Sequence, residues 1–243
     1  MEHVLILLVI LVIAFLYASV GHGGASGYLG MMVILGISPT IMRPSALILN
    51  IVVSSLATYQ FYNAGYLHFK KLLPFLLLSV PMAFIGARIP LSDPVYKIIL
   101  GICLLASVAR MLLMHNVKMN TTREHLPLLP SIAIGGFIGL ISGMIGIGGG
   151  VLLSPMLLLL RWTNWKETAA ITAPFILINS LAGIAGLWDT TFTFTPQITI
   201  WAASATLGGF LGSYWGCHKF NSSTLKFVMS IVMVIAAFKL FIS

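Results

Sequence analysis

Charged residues are scarce in this chain. They make up 7% of its 243 residues, and only 5 residues are acidic, whereas about a quarter of the residues in an ordinary soluble domain are charged. Because 59% of the residues are hydrophobic, a soluble fold could not cover so much apolar surface. The composition therefore excludes a soluble globular protein and predicts an integral membrane protein, whose solvent is the lipid bilayer.

Cysteines and long polar stretches are also few. The two cysteines, Cys103 and Cys217, lie in apolar segments without CxxC or Cys/His spacing, so we interpret them as small buried hydrophobic residues and expect no metal or cofactor. The longest polar stretch, residues 116–124, is too short for a soluble domain. Function is therefore expected within the membrane.

A net charge of +8 would suggest nucleic acid as a partner of a soluble protein. Here the cations lie between hydrophobic segments, where they report orientation in the membrane instead. The acidic residues all lie near predicted segment ends: Glu2, Asp93, Glu124, Glu167 and Asp189. No carboxylate is therefore expected at mid-membrane for coupling to sodium or protons.

Apolar segments recur along the whole chain, and each predicts a helix, because a spanning helix satisfies its own backbone polar groups. A span needs about 20 apolar residues, and the second and seventh segments are too short to cross comfortably. The ten segments are Val4–Val20, Ala25–Ile37, Pro44–Tyr62, Leu72–Ile89, Val95–Met114, Leu126–Ile145, Val151–Leu160, Ala169–Trp188, Ile198–Trp215 and Thr224–Ile242.

The two halves of the chain repeat one pattern. A shift of 125 positions places Gly21, Gly23 and Gly24 on Gly146, Gly148 and Gly149, and Ser55-Leu56-Ala57 on Ser180-Leu181-Ala182. This predicts an internal duplication. We expect one transmembrane domain made of a first membrane repeat, 1–115, a connecting loop, 116–125, and a second membrane repeat, 126–243.

Charge distribution distinguishes two topologies. If each glycine-broken pair crosses once, the cations divide roughly evenly between the sides. If each pair is a helical hairpin, one side keeps only Arg43, Arg88, Lys97 and Lys239, and the other collects Lys70, Lys71, Arg110, Lys118, Arg123, Arg161, Lys166, Lys219 and Lys226. The positive-inside rule favours the hairpins, with both termini outside the cytoplasm.

The glycine clusters predict breaks inside the membrane. A continuous helix from Val4 to Ile37 would be about 50 Å long, well beyond a ~30 Å hydrocarbon core. Non-helical backbone at that depth must be packed in protein or line a cavity. Each break starts a new helix, whose free N–H groups and positive end suit an anion, although glycines that only allow close helix packing are the alternative.

Polar side chains near the breaks complete the predicted site, because they can donate hydrogen bonds to an oxyanion without burial of a charge. A hydroxyl that bonds only its own helix is the competing interpretation of each serine. The candidate substrate-binding residues are Ser19, Gly21, His22, Gly23, Gly24, Ser54, Ser55, Ser142, Gly146, Gly148, Gly149, Asn179 and Ser180. We expect no catalytic residue among them.

His22 is the titratable residue at a break, where it could carry positive charge, relay a proton or pack as a neutral ring. Its counterpart in the second half is Ile147, so no symmetric role is available. Arg43 and Arg88 lie near segment ends, where snorkelling to headgroups is favoured over substrate binding.

The stretch Gly146-Ile-Gly-Gly-Gly-Val-Leu-Leu-Ser-Pro-Met156 resembles the sulfite exporter TauE/SafE family, with its Gly-x-Gly-Gly-Gly run followed by a proline. The duplicated layout is similar as well. The first half departs from the pattern, since His22 fills the variable position, Ala25 replaces a glycine and Gly30 stands where Pro155 stands. The resemblance implies a permease for sulfite, thiosulfate, sulfoacetate or related anions.

We therefore predict an all-α polytopic membrane protein of two inverted repeats, each a glycine-broken hairpin plus three transmembrane helices. It is expected to carry a small anionic substrate across a cell membrane by alternating access. A passive anion channel is the nearer alternative, and a membrane-embedded enzyme or assembly factor the more distant one. The sequence leaves a homo-oligomer open.

Overall fold

The computed structural model describes residues 2–92, 94–96, 98–99, 101–102, 126–188, 196–221, 224 and 227. Its helices there are α1 Glu2–Ser19, α2 Ala25–Ile34, α3 Pro39–Asn63, α4 Phe69–Arg88, α5 Leu128–Ile145, α6 Gly150–Leu159, α7 Trp165–Leu187 and α8 Pro196–His218. No strand occurs in these residues. Some predicted features lie outside the described residues: the connecting loop 116–125 and most of the segments Val95–Met114 and Thr224–Ile242. The same holds for Cys103, Asp93, Glu124, Asp189, Lys97, Arg110, Lys118, Arg123, Lys226 and Lys239.

The other eight predicted segments each correspond to one helix, which confirms an all-α fold. Several helices begin a few residues before the predicted segment does. α7 starts at Trp165 because Asn164 caps it: the Asn164 side chain accepts from the N–H of Glu167, and the Glu167 carboxylate accepts from the N–H of Asn164. Such a box satisfies two N–H groups that no helix turn can reach.

The helices expose apolar side chains of the kind that a soluble protein would bury. Large apolar side chains point outward, such as Leu129 and Phe137, which are 78% and 67% exposed. Thr40–Asn63, Phe69–Arg88, Leu128–Ile145 and Trp165–Leu187 are long and apolar enough to cross a membrane. An apolar exterior around polar, buried side chains is the arrangement that lipid as solvent favours.

Two parallel helix pairs build the sides of the molecule. Glycines 135, 139 and 143 of α5 lie on the backbone of Phe75, Ser79 and Ala83 in α4, and glycines 208, 212 and 216 of α8 lie on Leu11, Phe15 and Ser19 in α1. Since the numbers rise together in both pairs, the paired helices run in the same direction. Glycine at each contact lets the backbones approach closely.

Hydrogen bonds define the two ends of the bundle. At the Arg43 end, Nη2 of Arg43 at the start of α3 donates to the carbonyl oxygens of Ala87 and Gly143, near the ends of α4 and α5, at 3.0 and 3.1 Å. At the Lys166 end, Nζ of Lys166 at the start of α7 donates to the carbonyl of Cys217, near the end of α8, at 2.7 Å. Cations are favourable beside such carbonyl ends.

Equivalent helices of the two halves point to different ends. α3 begins at the Arg43 end, whereas α7 begins at the Lys166 end. α5 ends near Arg43, whereas α1 ends beside Gly216 and therefore near Lys166. α4 also ends near Arg43, and α8 near Lys166.

Each glycine-broken segment folds back on itself. In the first, Gly27 of α2 faces the side chains of Ile13 and Tyr17 in α1, and the Ser26 hydroxyl donates to the Tyr17 hydroxyl at 2.7 Å. In the second, Gly149 before α6 faces Ile138 and Ser142 of α5. In both segments the chain at or after the break therefore packs back on the helix that precedes it.

Candidate functional site: two buried glycine turns

Two turns interrupt the hairpins, and they are the focus of the site. The first turn is residues 20–24, between α1 and α2, and the second turn is residues 146–149, between α5 and α6. Both are fully buried. Gly21 and Gly24 of the first turn, and Gly146, Gly148 and Gly149 of the second, have φ between +74° and +96°. Residues with a Cβ rarely adopt this conformation, so the turns require glycine.

Each turn also packs on the long central helix of the other half. Gly21 lies against the backbone of Ala169 in α7, with no room for a Cβ, and a Cβ on Gly146 would lie 3.3 Å from the backbone of Arg43 in α3. The candidate residues of the two halves are thus brought together around α3 and α7.

One side chain touches both turns. Asn50, in the middle of α3 and 0% exposed, accepts a hydrogen bond from the N–H of Ala25, the first residue of α2, through Oδ1 at 3.1 Å. The same amide lies against Gly23 of the first turn and Gly148 of the second. Asn50 was not among the residues predicted for the site.

Hydrogen-bonding groups without a partner border the second turn, and another lies on Asn179, next to Ser180 in α7. Among the described residues, no partner is found for the hydroxyls of Ser142 and Ser180, the amide nitrogen of Asn50 and the amide oxygen of Asn179. A Cβ on Gly148 would lie 2.7 Å from Nδ2 of Asn50 and 3.1 Å from Oγ of Ser180, and Ser142 borders Gly149. Since buried polar groups nearly always have partners, such a cluster points to a ligand.

At the first turn, His22 is held by neutral partners. Its ring is 1% exposed, with Nδ1 3.1 Å from the carbonyl oxygen of Val20 and Nε2 3.2 Å from the hydroxyl of Ser154 in α6. Ser154 lies 2.9 Å from the Thr172 hydroxyl in α7. This chain of contacts joins the first turn to the helix that leaves the second.

Other predicted residues are bonded to their own helices. The hydroxyl of Ser19 donates to the carbonyl of Leu16 at 2.7 Å, and that of Ser54 to the carbonyl of Asn50 at 2.5 Å. Ser55 is exposed and donates to carbonyls of its own helix. Gly24 lies against the ring of Tyr28. The structure therefore brings Ser19 and Ser54 into the same buried region as the turns, but not Ser55.

The ion pair formed by Lys71 and Glu167 lies at one end of the bundle. The described carboxylate of Glu167, in the first turn of α7, lies 3.4 Å from Nζ of Lys71 in α4, and both side chains are nearly buried. Within the described ranges, no three His, Cys, Asp or Glu side chains are grouped as a metal site would require. The side chains found against Gly23, Gly148 and Gly149 are thus neutral, whereas Gly146 borders the backbone of Arg43.

Comparison with known proteins assigns the family. The family model for the sulfite exporter TauE/SafE matches residues 6–240. The chain belongs to the TauE/SafE family. The resemblance inferred from residues 146–156 is thereby confirmed, and with it a membrane transporter rather than a soluble protein.

Relatives of this TauE/SafE chain carry transporter names. A probable membrane transporter protein of Sinorhizobium fredii is 35% identical over 235 residues, which cover 94% of each chain. A probable membrane transporter protein of Bacillus subtilis is 23% identical over 257 residues, which cover 97% of this chain and 98% of the relative. No solved structure matches the chain. These names indicate a membrane transporter and not an enzyme.

The internal repeat does not reveal Asn50 as a candidate residue. The comparison of halves pairs Asn50 with Phe175, so a search for repeated polar positions passes over it. The usable signal was an amide in an otherwise apolar stretch, one helical turn before Ser54. Polar groups at such depth usually serve a function.

Proposed function

We propose that the chain carries a small anion, sulfite or another sulfur-containing or organosulfonate anion, across a cell membrane by alternating access. The unpartnered donors at the second turn support this proposal most directly. The family description supplies the sulfur chemistry.

An anion fits the chemistry of the turns better than a cation does. Nδ2 of Asn50 is a donor, and the hydroxyl of Ser180 beside it can donate. α6 begins at Gly150, and the N-terminal end of a helix carries partial positive charge. The described carboxylate, Glu167, is at a bundle end and paired with Lys71. An oxyanion can accept from these donors without displacement of a fixed counter-charge.

The opposed directions of equivalent helices support inverted repeats, in which residues 1–115 and 126–243 form one domain joined by the loop 116–125. Such repeats commonly place a substrate between broken helices near the midplane. Of the described cations, Arg43 and Arg88 lie at one end, and Lys70, Lys71, Arg161, Lys166 and Lys219 at the other. The positive-inside rule then puts the Lys166 end in the cytoplasm.

Polar ties at both ends suit a carrier that opens one side at a time. Arg43 ties α3 to α4 and α5 at one end. Lys71 and Glu167 tie α4 to α7 at the other. Because both turns are buried in this conformation, loading requires one set of ties to open. A carrier would open them in alternation, as rigid-body movement of one repeat against the other allows.

Transport by purified protein in proteoliposomes tests the proposal. We expect saturable sulfite uptake and counterflow, in which trapped unlabelled sulfite accelerates entry of labelled sulfite. Conductance without saturation would instead identify a channel. Thermal unfolding with sulfite, thiosulfate, sulfonates, sulfate, carboxylates and chloride would rank the ligands, because a ligand of the native state raises its stability. Absence of both flux and stabilisation for all of them would refute the proposal.

A further inference from the structure

The orientation of the Asn50 side-chain amide is fixed by chemistry. A backbone N–H can only donate, so the atom that faces Ala25 at 3.1 Å must be the amide oxygen. The amide nitrogen therefore points the other way. It lies beside Gly148 in the second turn, 2.7 Å from where a Cβ would stand.

At Gly148 the Asn50 nitrogen meets a second donor. The hydroxyl of Ser180, in α7, lies 3.1 Å from the same Cβ position. Asn50 and Ser180 are both 0% exposed, and among the described residues neither group has a partner. The two donors come from different halves of the chain and converge on the side of Gly148 where any other residue would place a side chain.

We propose that Asn50 is a substrate-binding residue shared by both turns, whose amide nitrogen donates to a sulfur oxyanion at the second turn while its oxygen holds the start of α2 at the first. The inference rests on the proposed anion transport and deepens it. An oxyanion has separate oxygen atoms for Asn50 and Ser180, whereas a halide offers both donors a single centre.

The shared amide gives the site a means of communication between halves. An anion bound at the second turn pulls on the same planar group that fixes the beginning of α2. Binding of an anion at the second turn therefore affects the first turn through the neutral side chain of Asn50. We expect substrate binding at the second turn and the position of the start of α2 to be coupled through Asn50.

Asn50→Asp is the sharpest test, because it has nearly the same shape and keeps an oxygen for the N–H of Ala25. The substitution replaces the amide nitrogen, which is the donor that faces Gly148, with a carboxylate oxygen. When it is ionised, the carboxylate can only accept hydrogen bonds, and it repels an anion. We expect sulfite uptake in proteoliposomes to lose about tenfold or more in kcat/KM, mainly through KM. The thermal stabilisation by sulfite should also disappear.

Ser180→Ala and Asn50→Leu each remove one donor without adding a charge, so they test the site independently of Asn50→Asp. Both should raise the KM for sulfite, and the Ser180→Ala and Asn50→Asp effects should be non-additive when combined, since the two residues bind one ligand. Ser45→Ala is the matched control: Ser45 is equally buried in α3, but its hydroxyl donates to the carbonyl of Ile41 in its own helix at 2.7 Å. Its KM should stay at the wild-type value.

The outcomes separate the two proposals. If the wild type transports sulfite and Asn50→Asp retains the wild-type KM, Asn50 is not a ligand and the inference is overturned, although anion transport stands. If Asn50→Asp fails to insert, an unchanged KM in Asn50→Leu overturns it equally. If the wild type neither binds nor transports any of the anions, the proposed function itself is refuted.

Discussion

Nε2 of His22 lies 3.2 Å from the hydroxyl of Ser154, and this contact joins the glycine turn of the first half to the helix that follows the turn of the second half. The Ser154 hydroxyl also lies 2.9 Å from that of Thr172. One hydroxyl therefore connects α6 and α7 of the second half to the glycine turn of the first half. The second half has no equivalent contact, because Ile147 stands where His22 would be required.

Removal of that hydroxyl should destabilise the protein. In Ser154→Ala, His22 and Thr172 each lose a buried hydrogen-bonding partner, and we expect a loss of about 1–3 kcal/mol in the free energy of unfolding. Thermal unfolding in detergent measures the effect. Ser45→Ala, which removes a buried hydroxyl bonded to its own helix, should change much less. Equal stability of the two variants would contradict the proposed link between the turns.

Gly148→Ala should impair both folding and transport. A Cβ there would lie 2.7 Å from the amide nitrogen of Asn50 and from a methyl group of Ile176, at a φ of +74° that alanine disfavours by about 1–2 kcal/mol. We expect sulfite uptake per inserted molecule to fall by more than tenfold, because the methyl group occupies the point on which the donors converge.

Gly65→Ala separates strain from contact at this position. Gly65 has a φ of +77° and nothing within 4 Å of its would-be Cβ, so it suffers the same backbone strain without touching the turns. Its transport should be close to the wild type after correction for the amount of inserted protein. Similar transport losses in both variants would show that strain alone accounts for the effect of Gly148→Ala.

Arg43→Gln should loosen one end of the bundle. The variant loses the guanidinium donors that bond the carbonyls of Ala87 and Gly143, and we expect a destabilisation of about 1.5–3 kcal/mol. Arg43→Lys should recover only part of it, since lysine keeps the charge but not the forked geometry. Lys219→Gln removes an exposed cation and should be nearly neutral in thermal unfolding. Wild-type thermal stability in Arg43→Gln would show that the hydrogen bonds of Arg43 do not stabilise the bundle.

Gly139→Leu should separate α4 from α5. A Cβ at Gly139 already collides with the backbone carbonyl of Ser79, so leucine forces the two helices apart and should prevent stable folding. Phe137→Leu on the same helix changes a side chain that is 67% exposed and should be tolerated. Fluorescence-detected size-exclusion chromatography compares the two, and a monodisperse Gly139→Leu protein would refute the close packing.

Sequence alone predicted the helices well, because length and apolarity are local properties. The two breaks were also foreseen, since glycine clusters separate segments whose combined length exceeds the membrane. Boundaries were less accurate where a polar cap extends a helix, as Asn164 and Glu167 do for α7. The capping residues are visible in the sequence, but because they are polar they do not extend an apolar segment.

The positions of the candidate site residues were predicted in part. Gly148 and Ser180 were expected at the site and do lie together, whereas Ser55 lies on the exposed side of α3. Asn50 could not be placed from the repeat, because its role depends on how α3 crosses both turns. Only tertiary packing reveals that one amide faces two segments more than a hundred residues apart, and the binding role of all these residues remains a prediction.

The parallel pairing of α1 with α8 has a consequence for biosynthesis. The hydroxyl of Ser204 in α8 donates to the carbonyl of Leu7 in α1 at 2.7 Å, across 197 positions of the chain. A ribosome delivers α1 to the membrane long before its main neighbour exists, so the first helix waits beside lipid or an insertion factor until translation is nearly complete. Nascent chains truncated before α8 should therefore leave that flank uncovered and be recognised by membrane proteases.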